Sequence, residues 1–227
     1  MLRFTRHGPN GVDSVIVEIE NVIIAGWTGR DEAALKHHID ELAALGVKAP
    51  SSVPLFYRVS ARLLDQGHHI QVVGEETSGE VEPVIVSLAD GLWIGVGSDH
   101  TDRKAESWSV ALSKQLCPKA VAGDLWRLDD VRPHWDRLQL ASYIIVDGER
   151  HPYQAGPLAG LRPPQDLFDR GFGTSLLPPP GTAMFLGTVP AIGGIRPAER
   201  FEIELHDPVL NRTIQHAYDI ETLPLVE

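Results

Sequence analysis

Positive charge, cysteine and long apolar runs are all scarce in this 227-residue chain. Twenty Lys and Arg face 31 Asp and Glu, giving a formal net charge of −11 and a pI near 5.3. An acidic surface repels phosphate backbones and anionic headgroups, so neither nucleic acid nor a membrane surface is an expected partner. Cys117 is the single cysteine, which excludes an intrachain disulfide and fits a reducing cytoplasm. No apolar run reaches membrane-spanning length, and the opening MLRFTRHGPNG has no apolar core of a secretory signal. What is present is an ordinary apolar share of 43%, enough for a substantial core at this length.

The patterning predicts a strand-rich α+β chain with short helices. VDSVIVEIENVIIAGWTG (12–29) is β-branched and reads as strands. RDEAALKHHIDELAALG (30–46) reads as a helix, with Asp31 and Glu32 favouring its start and Gly46 its stop. Leu35, Ile39, Leu42 and Leu45 form its apolar stripe. The proline-broken stretch 47–56 then suggests a division into a small N-terminal strand-helix region (1–46) and a larger domain (47–227). PLFYRVS, HHIQVV, VEPVIVSL and LWIGVG look extended, with Pro83 suiting an edge strand. SDHTDRKAESWSVALSKQL (98–116) reads as a helix with Thr101 as N-cap. Short helices are expected in VRPHWDRLQL and PPQDLFDRGFG, hairpins around Asp147-Gly148 and within FEIELHDPVLNRTIQHAYDI, and a strand in TAMFLGT.

Several side chains can carry chemistry. Glu80 and Glu82 are two apart, so an extended chain points both to one face. With Glu75 and Glu76 nearby, an exposed acidic face is the common arrangement. The alternative is a site for a hard divalent cation, which wants oxygen ligands and removes the mutual repulsion. Asp99, after the apolar strand LWIGVG, offers a third oxygen, although a carboxylate at a helix start is common too. His38 and Glu41 are helical neighbours, and a carboxylate-oriented imidazole can act as a general base. His37 and Glu41, four apart, fit an exposed helix face equally well. Lys114, near a helix end, and Thr188, in a glycine-flanked turn, have ordinary structural readings of their own.

The order of these segments resembles the fumarylacetoacetate hydrolase family. KHHIDEL resembles its lid helix with a His-x-x-Glu dyad. PLFYRVSARLL resembles its Leu-Phe-Lys-Pro-Ser strand, GEVEP its Glu-x-Glu, and GSDHTDR its Asp-x-(Ser/Thr)-x-Arg segment. WSVALSKQLCP resembles the segment with a lysine before Cys-Pro, and FLGTVPAIGG the final Gly-Thr-Pro turn. The match covers most of residues 30–222 and departs from the pattern at several places. Arg58 replaces a lysine, Pro83 an aliphatic residue, and Val189 is inserted before Pro190. Asp99 follows Glu82 by seventeen positions (99 minus 82), and Lys114 stands unusually close to Cys117.

The resemblance implies a β-sandwich roll like the C-terminal domain of fumarylacetoacetase, with peripheral helices and a homodimeric assembly. It implies that Glu80, Glu82 and Asp99 hold Mg²⁺ or Mn²⁺, with Ca²⁺ also accepting such ligands. It makes His38 and Glu41 the water-activating pair, Lys114 a third catalytic residue, and Arg103 and Thr188 substrate ligands. The implied activity is hydrolysis of a carbon–carbon bond in an acylpyruvate-like 2-oxo acid. A decarboxylase, isomerase or hydratase at the same metal site is the alternative, and a non-catalytic carboxylate-binding or assembly protein is a third.

Overall fold

A computed structural model describes residues 1–9, 11–44 and 49–226, without the side chains of 38 and 41–44. The chain opens with β1 (Leu2–Gly8), β2 (Gly11–Val17) and β3 (Asn21–Gly26), then α1 (Glu32–Ala44). Asp31 Oδ1 accepts from the Ala33 and Ala34 N–H groups at 2.9 and 3.0 Å, which starts α1 as the sequence suggests. The stop expected at Gly46, and Leu45 of the apolar stripe, lie outside the described residues. β4 (Leu55–Val59), β5 (Leu64–Asp65), β6 (His69–Val73) and β7 (Thr77–Ser78) lead into the long pair β8 (Val81–Leu88) and β9 (Gly91–Asp99). There follow β10 (Thr101–Asp102), α2 (Arg103–Glu106), α3 (Val110–Gln115), β11 (Lys119–Val121), β12 (Asp124–Arg127) and α4 (Leu128–Val131). β13 (Gln139–Val146) and β14 (Glu149–Pro157) form a hairpin, and α5 (Pro164–Phe172), β15 (Thr182–Phe185), β16 (Arg200–Asp207) and β17 (Arg212–Leu223) complete the chain.

The larger sheet runs β2-β1-β12-β9-β8-β15-β3-β4, with β11 joining β9 to β5. The strands on either side of residue 46 therefore share one sheet. Phe4 on β1 and Val59 on β4, near opposite ends of that order, pack in the same apolar cluster with Val84, Trp93 and Phe185. The sheet must curl around that cluster, which is the roll. The second sheet runs β14-β13-β16-β17-β6. Its strands alternate buried and half-exposed residues, as a sheet with one wet face should. Its inner side chains Ile144, Phe201, Leu205, Ile214 and Tyr218 pack on Ile85, Ile94, Val96 and Met184 of the large sheet. No described helix is long and apolar enough to cross a membrane.

Three expectations change. β1 was not anticipated, because its residues alternate weakly; it is held by antiparallel pairing to β2 and parallel pairing to β12. The helix expected over 98–116 is two short helices. β9 continues to Asp99, where it pairs with Lys119, so the segment starts as strand. Thr101 lies in β10, and the first cap is Asp102, whose Oδ1 accepts from Ala105 N at 2.8 Å. Ser109, with extended backbone, caps the second helix through the Leu112 N–H. Finally, Pro83 lies in a central strand and not an edge. Its missing N–H falls where β15 leaves the ladder, after Phe185↔Val84, and its carbonyl still accepts from Leu186 N at 3.1 Å. The hairpin turn at Asp147-Gly148 is as read, with φ of 53° and 75°.

Gly97 on β9 faces Glu82 across the ladder, and a Cβ there would lie 2.7 Å from Phe185, 2.9 Å from Val84 and 2.8 Å from the Ala120 carbonyl oxygen. The backbone contact cannot relax by a rotamer change. Gly97→Ala is expected to lower the unfolding free energy by about 1–3 kcal/mol, seen as a lower urea midpoint; an unchanged midpoint would contradict this packing.

Candidate metal centre

β8 and β9 pair antiparallel with Val81 opposite Ser98 and Glu82 opposite Gly97. That register puts Glu80 and Glu82 on the same face as Asp99, at the end of β9. Among the described residues, ligand oxygens of these three side chains lie within 4.8 Å of one another. Glu82 and Asp99 are buried and Glu80 is half-buried. The exposed acidic face that spacing alone allowed is not what forms.

Cations converge on the same point. Lys114 at the end of α3 donates to Asp99 Oδ2 in a very short bond and lies 3.6 Å from Glu80 Oε2. Arg103 opens α2 and donates from Nη2 to Glu80 at 3.0 Å, from Nη1 to Glu106 at 2.9 Å and from Nε to Ser78 at 2.6 Å. Lys119 on β11 places Nζ 3.0 Å from Asp99 Oδ1 and donates to the His100 carbonyl at 2.5 Å. Glu82 has a backbone partner instead, the Gly187 N–H at 2.6 Å. Gly187 sits at φ 100°, and a Cβ would fall 1.8 Å from Thr28 Oγ1, so the turn needs glycine there.

These neighbours split the carboxylates electrostatically. Burial pushes the Glu82 carboxyl well above its ordinary value, and the charges of Asp99 and Glu80 add to that. Burial also pushes Asp99 up, but the Lys114 and Lys119 ammoniums outweigh it and hold the group at about 2. Lys114 is penalised by burial, yet the three carboxylates raise it well above the usual lysine value. Of Glu82 and Asp99, Glu82 is therefore the one whose surroundings favour the protonated form.

The donor set suits a hard divalent ion. All three side chains offer oxygen. Asp99 Oδ1 is buried and accepts no hydrogen bond among the described residues, because Lys119 meets it without hydrogen-bond geometry. Apart from that ion pair the oxygen has bonding capacity left, and it sits beside two further carboxylates, as a cation ligand should.

Thr188 is half-buried one residue beyond Gly187. Its hydroxyl donates to the Val81 carbonyl at 2.7 Å and accepts from Gln154 Nε2 at 2.7 Å. Gln154 was not anticipated from the sequence. The β13–β14 register slips between Ser142 and Tyr143, and Gln154 is buried beside that slip. Its Oε1 accepts from Val81 N and Ser142 Oγ at 3.0 and 3.1 Å, and Nε2 also donates to the Val189 carbonyl at 2.6 Å. The amide thus ties the 187–189 turn to β8. Nor were His100 and Tyr218 anticipated. Tyr218 donates to Ser98 Oγ at 2.8 Å, so at 3.0 Å it accepts from His100 Nδ1, leaving Nε2 to accept from Thr77 at 2.9 Å. Burial, with Lys119 and Arg103 nearby, holds His100 down at about 3, so it is neutral. No motif marks these residues in the sequence.

His38 and Glu41 lie on α1, but their side chains fall outside the described residues. Thr28, four residues before α1, packs on Gly187 of the turn that bonds Glu82. Trp27, at φ 61°, donates from its indole to the Tyr57 hydroxyl at 3.2 Å, and the Tyr57 ring lies 5.9 Å from Lys114 Nζ.

The family model described as "Protein of unknown function (DUF2848)" matches residues 25–218. The chain belongs to the DUF2848 family. No curated protein matches this DUF2848 chain in sequence. Its fold is that of fumarylacetoacetate hydrolase family proteins. It is similar to yeast ynq8, a member of that family, with a TM-score of 0.63 and 15% identity over 92% of this chain and 95% of the other. It is also similar to a 2-keto-3-deoxy-D-arabinonate dehydratase complexed with magnesium and 2,5-dioxopentanoate, with a TM-score of 0.64 and 14% identity over 95% and 78% of the two chains.

Because burial favours the protonated form of Glu82 and a bound cation favours the ionised one, Mn²⁺ affinity is expected to rise with pH and to be accompanied by proton release. Calorimetry in buffers of different ionisation enthalpy measures both. Glu82→Gln is expected to weaken Mn²⁺ by about 10-fold or more; a pH-independent, mutation-insensitive affinity would place the ion elsewhere.

Proposed function

We propose that the protein is a metal-dependent enzyme acting on a 2-oxo acid, and that its reaction is hydrolysis of a carbon–carbon bond in an acylpyruvate-like 1,3-dicarbonyl compound. The observation that carries this reading is the convergence of Glu80, Glu82 and Asp99 with Lys114 on a fold of fumarylacetoacetate hydrolase type. Glu80, Glu82 and Asp99 would hold Mg²⁺ or Mn²⁺. When bound, the ion supplies Lewis-acid polarisation of the 2-oxo group.

The chain's own groups have distinct tasks in this reading. Lys114 presents an ammonium to the negative charge that develops on substrate oxygen. Arg103 has three of its five N–H groups committed, one of them to Glu80, so it orients that ligand and keeps two for a substrate carboxylate. Thr188 sits on the turn that bonds Glu82, and its hydroxyl must turn from Val81 to meet substrate. His38, oriented by Glu41, takes a proton from water as α1 closes. The hydroxide oxygen adds to the distal carbonyl carbon. The carbon–carbon bond then breaks, its electron pair passes to the pyruvate fragment, and that fragment takes up a proton.

A second reading keeps the site and changes the reaction. Similarity to a dehydratase complexed with magnesium favours water elimination from a 2-oxo acid, and decarboxylation or isomerisation would use the same site. His38→Ala separates the two. In the hydrolytic reading it lowers kcat for an acylpyruvate by about 10²-fold or more with Mn²⁺ affinity intact. An unchanged rate with His38→Ala, or turnover of oxaloacetate or a 2-keto-3-deoxy sugar acid but of no acylpyruvate, would reject hydrolysis in favour of the second reading.

A further inference from the structure

We infer that Lys119 is a resident counter-cation of the metal centre, which holds Asp99 in place and weakens the centre's grip on a divalent ion. The inference rests on Glu80, Glu82 and Asp99 being metal ligands, and it concerns a residue with no counterpart among the segments that suggested the family. Lys119 is fully buried. A lysine is almost never so buried without an ionic partner. Its partner is Asp99, directly opposite it in the β9–β11 ladder, with Nζ 3.0 Å from Oδ1.

Its position is fixed. β11 pairs with β9 on one side and β5 on the other, and Ala120 and Val121 beside it are buried. Nζ is also anchored on the His100 carbonyl at 2.5 Å. The side chain therefore cannot swing into water when a metal arrives. Lys114 differs, since it faces Glu80 and Glu82 as well as Asp99 from the end of a short helix. Lys119 touches only Asp99 among the three ligands, so its contribution is charge and position.

The charge count gives the consequence. With all three ionised, as metal ligands must be, the carboxylates meet the two ammoniums of Lys114 and Lys119, while Arg103 is shared between Glu80 and Glu106. A divalent ion entering this centre is attracted by about one uncompensated charge instead of three. A fixed positive charge that close repels it in a weakly screened interior. Lys119 thus stabilises the metal-free centre and lowers its affinity for the ion, so the two effects have opposite sign.

That opposition provides the test. Lys119→Gln keeps a donor for the His100 carbonyl and removes the charge. Mn²⁺ titration followed by electron paramagnetic resonance is expected to give a Kd about tenfold tighter than wild type. The metal-free variant is expected to melt about 5 °C lower, and Mn²⁺ should raise its Tm by more than it raises that of wild type. Lys119→Arg, which restores the charge, should return the Kd toward wild type. If Lys119→Gln does not fold without metal, Lys119→Met purified with Mn²⁺ throughout gives the same readout through slower metal loss to a chelator. A variant that binds Mn²⁺ equally or more weakly overturns the role of Lys119 while leaving the metal centre standing. Wild-type protein that binds no Mn²⁺ overturns the metal centre, and this role with it.

Discussion

The register between β8 and β9 is the constraint on which the rest depends. Val81 opposite Ser98 brings Glu80, Glu82 and Asp99 to one face. Side chains alternate faces along a strand, so a slip of one residue would send the acids and the apolar residues of β8 to the wrong sides. The hydrophobic pattern guards against that slip. Val84 and Val86 share the carboxylates' face and fill the roll, while Val81 and Ile85 face the second sheet. Ser98, gripped by Tyr218 and by the Glu80 N–H, pins the same register from behind.

Burying three carboxylates together is costly, and the structure offsets the cost locally. The cations come from a single stretch of chain, Arg103 to Lys119, folded as two short helices and a three-residue strand. This explains why the segment is broken and not one continuous helix. A single helix over 98–116 would remove Asp99 from the sheet. The breaks at Asp102 and Ser109 let Arg103, Lys114 and Lys119 approach the acids separately. The opposite displacements of Glu82 and Asp99 then follow from which of them the lysines touch.

Much of this was legible in the sequence, for identifiable reasons. VEPVIVSL and LWIGVG announce themselves as strands through β-branched runs, and Asp147-Gly148 through its turn chemistry. Glu80, Glu82 and Asp99 were legible as candidates because Glu-x-Glu and the strand-end Asp are local patterns. Lys119, Gln154, His100 and Tyr218 were not, since each acquires its role through a contact made in three dimensions. Gln154 reaches the centre because of a slip in strand pairing, and Lys119 because a short strand lies beside β9. Thr101 and Pro83 misled because a propensity was read without its ladder. The hydroxyl of Thr101 serves the Asp99 carbonyl, and the missing donor of Pro83 falls at the end of the β8–β15 ladder.

The most direct measurement is anomalous diffraction from crystals of the protein grown with Mn²⁺, collected at the manganese absorption edge. A single strong peak bonded to oxygens of Glu80, Glu82 and Asp99 is the result this account predicts. Ordered crystals with no peak at that position, or with manganese held by other residues, would contradict it.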